Sequence, residues 1–270
     1  MALFLNYQPV DTGRRFPDGT FSFRIKPESY GFGISHKAII RWNYEGESEC
    51  MALYYLVEHL RSNRVCSLTL QLPYLPNARM DRVHGEQDVF TLKHFAKFIN
   101  SLLFDRVIVL DPHSNVAAAL IDRIEISSPK GYIEGAIETI GDPGIALFYP
   151  DEGAMKRYSE MIDVPYGFGV KHRDWDTGKI TGLEILGPAE MAGKNVLIVD
   201  DICSRGGTLY HSAKALADAG AKEIFCYVSH CENTILSGPL MDAPFIRHIY
   251  TTNSLFTGKH EKITAFDWSP

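Results

Sequence analysis

The chain has 270 residues, 45% hydrophobic and 22% charged, enough for one large domain or two of medium size. Its 33 acidic and 27 basic residues give a formal net charge of -6, which excludes a surface built to coat nucleic acid. No apolar run reaches the roughly 20 residues of a membrane span. Residues 1–15 lack the charged start of a signal peptide, and the five scattered cysteines suit reduced thiols. A cytoplasmic protein with neither a nucleic-acid nor a membrane partner is expected.

In chain order, helical spacing over 50–61 is followed by an apolar, β-rich run over 65–72. Helix-like spacing returns over 89–103, then come a strand over 106–110 and a helix over 116–124. Glycines, serines and prolines at 127–131 and 141–144 mark a division near 128–142. Beyond it lie a strand over 144–148, a helix over 154–161 and a polar, glycine-bearing stretch over 171–191. That stretch reads as a mobile loop with a short hairpin. A strand over 195–199, a helix over 208–219 and strands over 223–229 and 248–251 complete the order, with Gly220 placed as a helix C-terminal glycine. Strands alternating with helices imply a mostly parallel sheet covered by helices, an α/β fold, and the alternation runs twice. Two domains are expected, 1–136 and 137–270. Cys226, His230 and Cys231 lie close together but have no second ligand pair at zinc spacing, so they read as structural. The aromatic stretch over 21–30 reads as core, and Gly31-Phe32-Gly33 lacks the context of a dinucleotide fingerprint.

The strongest local signal is Val199-Asp200-Asp201-Ile202-Cys203-Ser204-Arg205-Gly206-Gly207-Thr208. A buried strand ends in two carboxylates, a small-residue loop follows, and a helix begins. Ligands of parallel sheets bind beyond the carboxyl ends of strands. Glycines admit an anion close to the backbone, and the first helical N–H groups point at it. Asp200 and Asp201 are suited to accept hydrogen bonds from vicinal sugar hydroxyls. The plain alternative is an acidic turn at a strand–helix junction.

This segment resembles the ribose-phosphate loop shared by type I phosphoribosyltransferases and ribose-phosphate pyrophosphokinases. Further segments resemble the pyrophosphokinases. Pro73-Tyr74-Leu75-Pro76-Asn77-Ala78-Arg79-Met80-Asp81-Arg82 is similar to a segment that contacts ATP. Leu110-Asp111-Pro112-His113-Ser114 is similar to a segment whose histidine helps hold magnesium, and Tyr149-Pro150-Asp151-Glu152-Gly153-Ala154-Met155-Lys156-Arg157 to a turn whose acidic residue is associated with metal and pyrophosphate. Lys171-His172-Arg173 is similar to the start of a catalytic loop, and Arg15-Phe16-Pro17-Asp18-Gly19 to an adenine-binding turn that often crosses a subunit boundary.

The resemblance implies two phosphoribosyltransferase-like domains and transfer of pyrophosphate from ATP to a ribose-phosphate acceptor with Mg2+. It implies catalytic Lys171 and Arg173, and ATP-binding Phe16, Asp18, Arg79, Asp81 and Arg82. It also implies ribose-phosphate-binding Asp200, Asp201, Ser204, Arg205, Gly206, Gly207 and Thr208, with His113 and Asp151 on the metal. A homo-oligomer, dimer or hexamer, is implied as well. Read singly, His113 is a structural histidine, Lys171 and Arg173 a solvated loop, and Arg79 or Arg82 half of a packing ion pair.

Ser204, Arg205, Met80 and Thr20 depart from the family pattern, the first two inside the phosphate loop. Arg205 adds a fixed cation there, which suits a larger or more charged 5′ substituent such as that of ADP-ribose; ordinary ribose 5-phosphate is the alternative acceptor. A phosphoribosyltransferase and a catalytically silent regulator are the competing functions.

Overall fold

The computed structural model describes residues 3–12, 15–25, 37–173, 180–187 and 189–269, with backbone alone for 171–173 and 180–183. The chain forms two compact units, Met1–Ser127 and Ser128–Ser269. The side chains of Lys171 and Arg173, Gly31-Phe32-Gly33 and the second half of the 21–30 aromatic stretch lie outside the described residues.

The first unit runs β1 (Leu3–Leu5), β2 (Gln8–Pro9), β3 (Lys37–Trp42), α1 (Glu49–Ser62), β4 (Ser67–Leu72), α2 (Thr91–Ser101), β5 (Arg106–Leu110), α3 (Val116–Leu120) and β6 (Ile124–Ser127). Its sheet has the order β2-β1-β3-β4-β5-β6. The four strands from β3 to β6 are parallel, while β1 pairs antiparallel with β2 and β3. Period-two burial along β3 puts Ala38, Ile40 and Trp42 into the core, where Leu53, Leu56 and Leu60 of α1 and Leu92, Phe95 and Ile99 of α2 meet them. The indole N–H of Trp42 donates to Glu49 at 2.9 Å, so burying this large ring leaves no donor unpaired. The helix expected over 116–124 stops at Leu120. Ile121 turns extended, and Ile124 opens β6 instead.

The second unit runs α4 (Lys130–Ile140), β7 (Ala146–Tyr149), α5 (Glu152–Tyr158), β8 (Tyr166–Arg173), β9 (Ile180–Leu186), β10 (Asn195–Cys203), α6 (Gly207–Asp218), β11 (Glu223–Cys231), β12 (Ile246–Thr252) and β13 (Ile263–Phe266). The sheet order is β13-β12-β11-β10-β7-β8-β9, and only the β8–β9 pair is antiparallel. The unbroken apolar run 196–199 is buried on both faces, as a central parallel strand requires. Val196 and Ile198 pack with Leu209, Ala213 and Leu216 of α6, and Leu197 and Val199 with Ile133, Ala136 and Tyr158 on the other side. Gly220 has φ +86°, past the end of α6, as expected. Of the five cysteines Cys66 is exposed, Cys50 half-buried, and Cys203, Cys226 and Cys231 are buried. No helix among the described residues is long and apolar enough to cross a membrane.

Candidate functional site

In the second unit the loop after β10 is shaped by two close approaches. Gly206 has φ +82°, a left-handed backbone, and a Cβ there would collide with Leu240. A Cβ on Gly238 would collide with the carbonyl oxygen of Arg205. The 238–240 segment therefore lies directly against the loop. Tyr210 N–H closes the first turn of α6 on Gly206 at 2.8 Å. The N–H groups of Gly207, Thr208 and Leu209 consequently have no acceptor within the helix, and no side chain caps them. Gly207 and Thr208 are exposed, so this helix start opens to solvent, an arrangement that can receive an anion.

Carboxylates stand beside it. Burial, the neighbouring Asp201 charge and Asp151 hold the Asp200 carboxyl well above the usual range. Asp201 N–H donates to Asp200 Oδ1 at 3.0 Å. Asp201 itself is buried and pairs with Arg157 Nη1 at 3.1 Å, so its charge is balanced inside the unit. Asp151 stands at the N-terminus of α5, where its Oδ1 accepts Ala154 N–H at 3.1 Å. Ser204 Oγ donates to Glu232 Oε2 at 2.7 Å, while the Arg205 side chain is exposed.

The first unit gathers a second group. Asp81 is buried, and Arg82 Nε donates to its Oδ1 at 2.9 Å. Burial alone would raise this carboxyl, but hydrogen bonds from Arg82 and Ser114 and the nearby His113 hold it below the usual range. Its Oδ2 is buried with no hydrogen-bond partner among the described residues. His113 is half-buried, and Arg79 and Met80 are exposed. Asn77 takes φ +64°, a left-handed turn that asparagine tolerates, and its carbonyl accepts Met80 N–H at 3.0 Å.

Residues 15–21 form a tight reversal. Arg15 bridges Phe21 antiparallel, and Phe16 N–H donates to Thr20 O at 2.8 Å. Asp18 Oδ1 accepts Thr20 Oγ1 at 2.7 Å and Thr20 N–H at 2.9 Å, and these bonds keep its carboxyl below the usual range. The turn leaves the Phe16 ring 55% exposed.

Lys171 and Arg173 lie in β8 with backbone partners Leu183 and Ile180. His230 Nδ1 meets Ser254 Oγ at 2.8 Å in a buried position, and the flanking Cys226 and Cys231 are packed in the core. Among the described residues no three His, Cys, Asp or Glu side chains gather to hold a metal by themselves. Sequence reading misses Glu232, Gly238 and Leu240, whose contacts with the loop cross more than twenty residues of chain. Arg157 closes the 149–157 motif, but its ion pair with Asp201 carries no local signal.

A phosphoribosyl transferase domain family matches residues 154–243, which span the loop and its 238–240 support. Three curated relatives are each named ribose-phosphate pyrophosphokinase. The Sulfurisphaera tokodaii protein is 27% identical over 94% of this chain and 87% of its own length. That of Corynebacterium ammoniagenes is 27% identical over 92% and 78%, and that of Saccharolobus solfataricus 28% identical over 80% and 74%. A crystal structure of phosphoribosylpyrophosphate synthetase from Mycobacterium smegmatis shares the fold, with a TM-score of 0.68 over 81% of this chain and 73% of that one, at 22% identity. The matching stretch takes in both sheets and not the phosphate loop alone, so the chain is similar to ribose-phosphate pyrophosphokinases over most of its length.

Proposed function

We propose that the protein transfers the β,γ-pyrophosphoryl group of ATP to the anomeric hydroxyl of a ribose 5-phosphate-type acceptor. The anomeric oxygen forms a bond to the β-phosphorus, the bond from that phosphorus to the α-phosphate oxygen breaks, and the hydroxyl proton is released; the products are a 1-pyrophosphate and AMP. The observation that carries this reading is the left-handed Gly206 loop, with uncapped, exposed N–H groups beside Asp200 and Asp201. In this reading Asp200 and Asp201 accept hydrogen bonds from the ribose hydroxyls. Arg205, Thr208 and the backbone of Ser204, Gly206 and Gly207 receive the phosphate. Phe16, Asp18, Arg79, Asp81 and Arg82 serve ATP. Lys171 and Arg173 supply cations to the charge that builds on the transferring group.

The donor set suits magnesium, a hard cation that keeps waters and phosphate oxygens and needs few protein ligands. The partnerless buried Asp81 Oδ2 and the raised Asp200 carboxyl are both features a divalent cation would relieve. His113 in the first unit and Asp151 in the second are each proposed as a magnesium ligand, and the chemistry magnesium would supply is to neutralise phosphate charge. The exposed Phe16 turn suits an adenine pocket completed by a second copy, which supports a homo-oligomer, dimer or hexamer.

Arg205 favours a second acceptor. It is exposed in the loop and makes no ion pair among the described residues, so it is available to a second phosphate such as that of ADP-ribose. The test is AMP release and product mass with ATP, magnesium and either ribose 5-phosphate or ADP-ribose. Turnover with ribose 5-phosphate alone removes the role given to Arg205, and no AMP with any ribose-phosphate acceptor removes the reaction.

A further inference from the structure

Glu232 follows β11 and touches the phosphate loop twice. Its N–H donates to Cys203 O at 2.8 Å. Its Oε2 accepts Ser204 Oγ–H at 2.7 Å. The same Oε2 accepts Thr234 Oγ1–H at 3.3 Å, and Thr234 Oγ1 lies 3.3 Å from Ser204 Oγ. Three side-chain oxygens thus close a triangle at the base of the loop. The chain continues through a 3-10 turn, Asn233–Ser237, to Gly238 and Leu240, which press on Arg205 and Gly206. Residues 232–240 are a cradle beneath 203–206, and Glu232 is its only ionisable member.

Two consequences follow from elementary electrostatics. The Ser204 hydroxyl proton is committed to Glu232, so it is withdrawn from an anion in the loop. A carboxylate hydrogen-bonded to Ser204, in the loop that leads to the uncapped N–H groups, opposes the anion they collect, more strongly the higher the anion's charge. We infer that Glu232 is a positioning and specificity residue: it holds the loop in shape through Ser204 and limits the negative charge the loop accepts, while Arg205 acts in the opposite direction. The inference rests on the proposed acceptor site and adds the element that sets its charge preference.

The two parts of this role pull in opposite directions, which makes them separable. Glu232→Gln keeps an oxygen for Ser204 and removes the charge; Ser204→Ala keeps the charge and removes the tether. Calorimetric titration of the full chain with ribose 5-phosphate should give about threefold or more tighter binding for Glu232→Gln. Ser204→Ala should bind about threefold more weakly. The KM for ATP should stay within about twofold in both, because ATP does not use this loop. A residue that merely supports the fold would weaken binding in both variants. That result, unchanged binding in both, or a Glu232→Gln protein that does not fold would each overturn the inference. Calorimetry needs no turnover, so these outcomes are distinct from failure of the proposed reaction, which is read from AMP release by the unaltered protein.

Discussion

Asp200 sits where burial and two neighbouring carboxylates oppose its ionisation, yet an acceptor for sugar hydroxyls works best charged. A folded-state pKa above the unfolded value favours folding fully only below the ordinary carboxylate range, near pH 4. The benefit is lost as pH rises toward the folded value. Asp200→Asn should therefore match the unaltered protein in melting temperature near pH 4 and exceed it at pH 7, by roughly 2 °C or more. Melting curves across that pH range check this; equal curves at pH 7 would show that Asp200 ionises in the fold without strain. The same variant should lose most turnover, the trade of stability against function expected at a site. At this scale the loop from Asp200 to Thr208 was legible because its carboxylates, glycines and helix start are contiguous. Glu232 was not, because its link to Ser204 depends on the register of β10 against β11, which pairs Cys203 with Cys231.

Among the elements, the β8–β9 hairpin depends on two glycines that cross. Gly187 has φ +123°, and a Cβ there would lie 2.8 Å from Gly167 Cα and 3.0 Å from Tyr166 O, both backbone atoms that cannot swing away. Gly187→Ala should destabilise the hairpin by roughly 2 kcal/mol or more, read as faster hydrogen exchange across β8 and β9. Gly46→Ala, which meets nothing within 4 Å, is the control; identical exchange in the two variants would refute the crossing argument. Sequence reading found the strands that are buried on both faces, β10 and β11 above all, because their apolar runs are long. It passed over the six-residue β3 and also β1, β2, β6 and β13; the last four have four residues or fewer and show no usable period. It took Ser127-Ser128-Pro129-Lys130-Gly131 as part of the division between domains, whereas Pro129 opens α4 with a φ of -78° that already fits a helix. Gly131 and Gly135 had diluted the helical pattern there.

For the molecule as a whole, strand–helix alternation was enough to read a mostly parallel α/β fold, since crossover connections leave little else. It did not show the antiparallel β1 against β3, because a three-residue strand is chosen by its partner and not by its own pattern. Each unit has its own sheet and its own core. We propose that the second carries acceptor recognition by itself. A fragment of residues 128–270 should fold cooperatively and bind ribose 5-phosphate within about tenfold of the full chain, while releasing no AMP. Circular dichroism and calorimetry decide this, and a fragment that stays unfolded would refute it. The distribution of thiols has a practical consequence. Burial and Glu47 push the Cys50 thiol up, and burial raises Cys226, while Cys66 sits exposed at the start of β4. The chain thus carries a natural attachment point for a maleimide dye on its N-terminal unit, ready for fluorescence titrations without first engineering the other cysteines away.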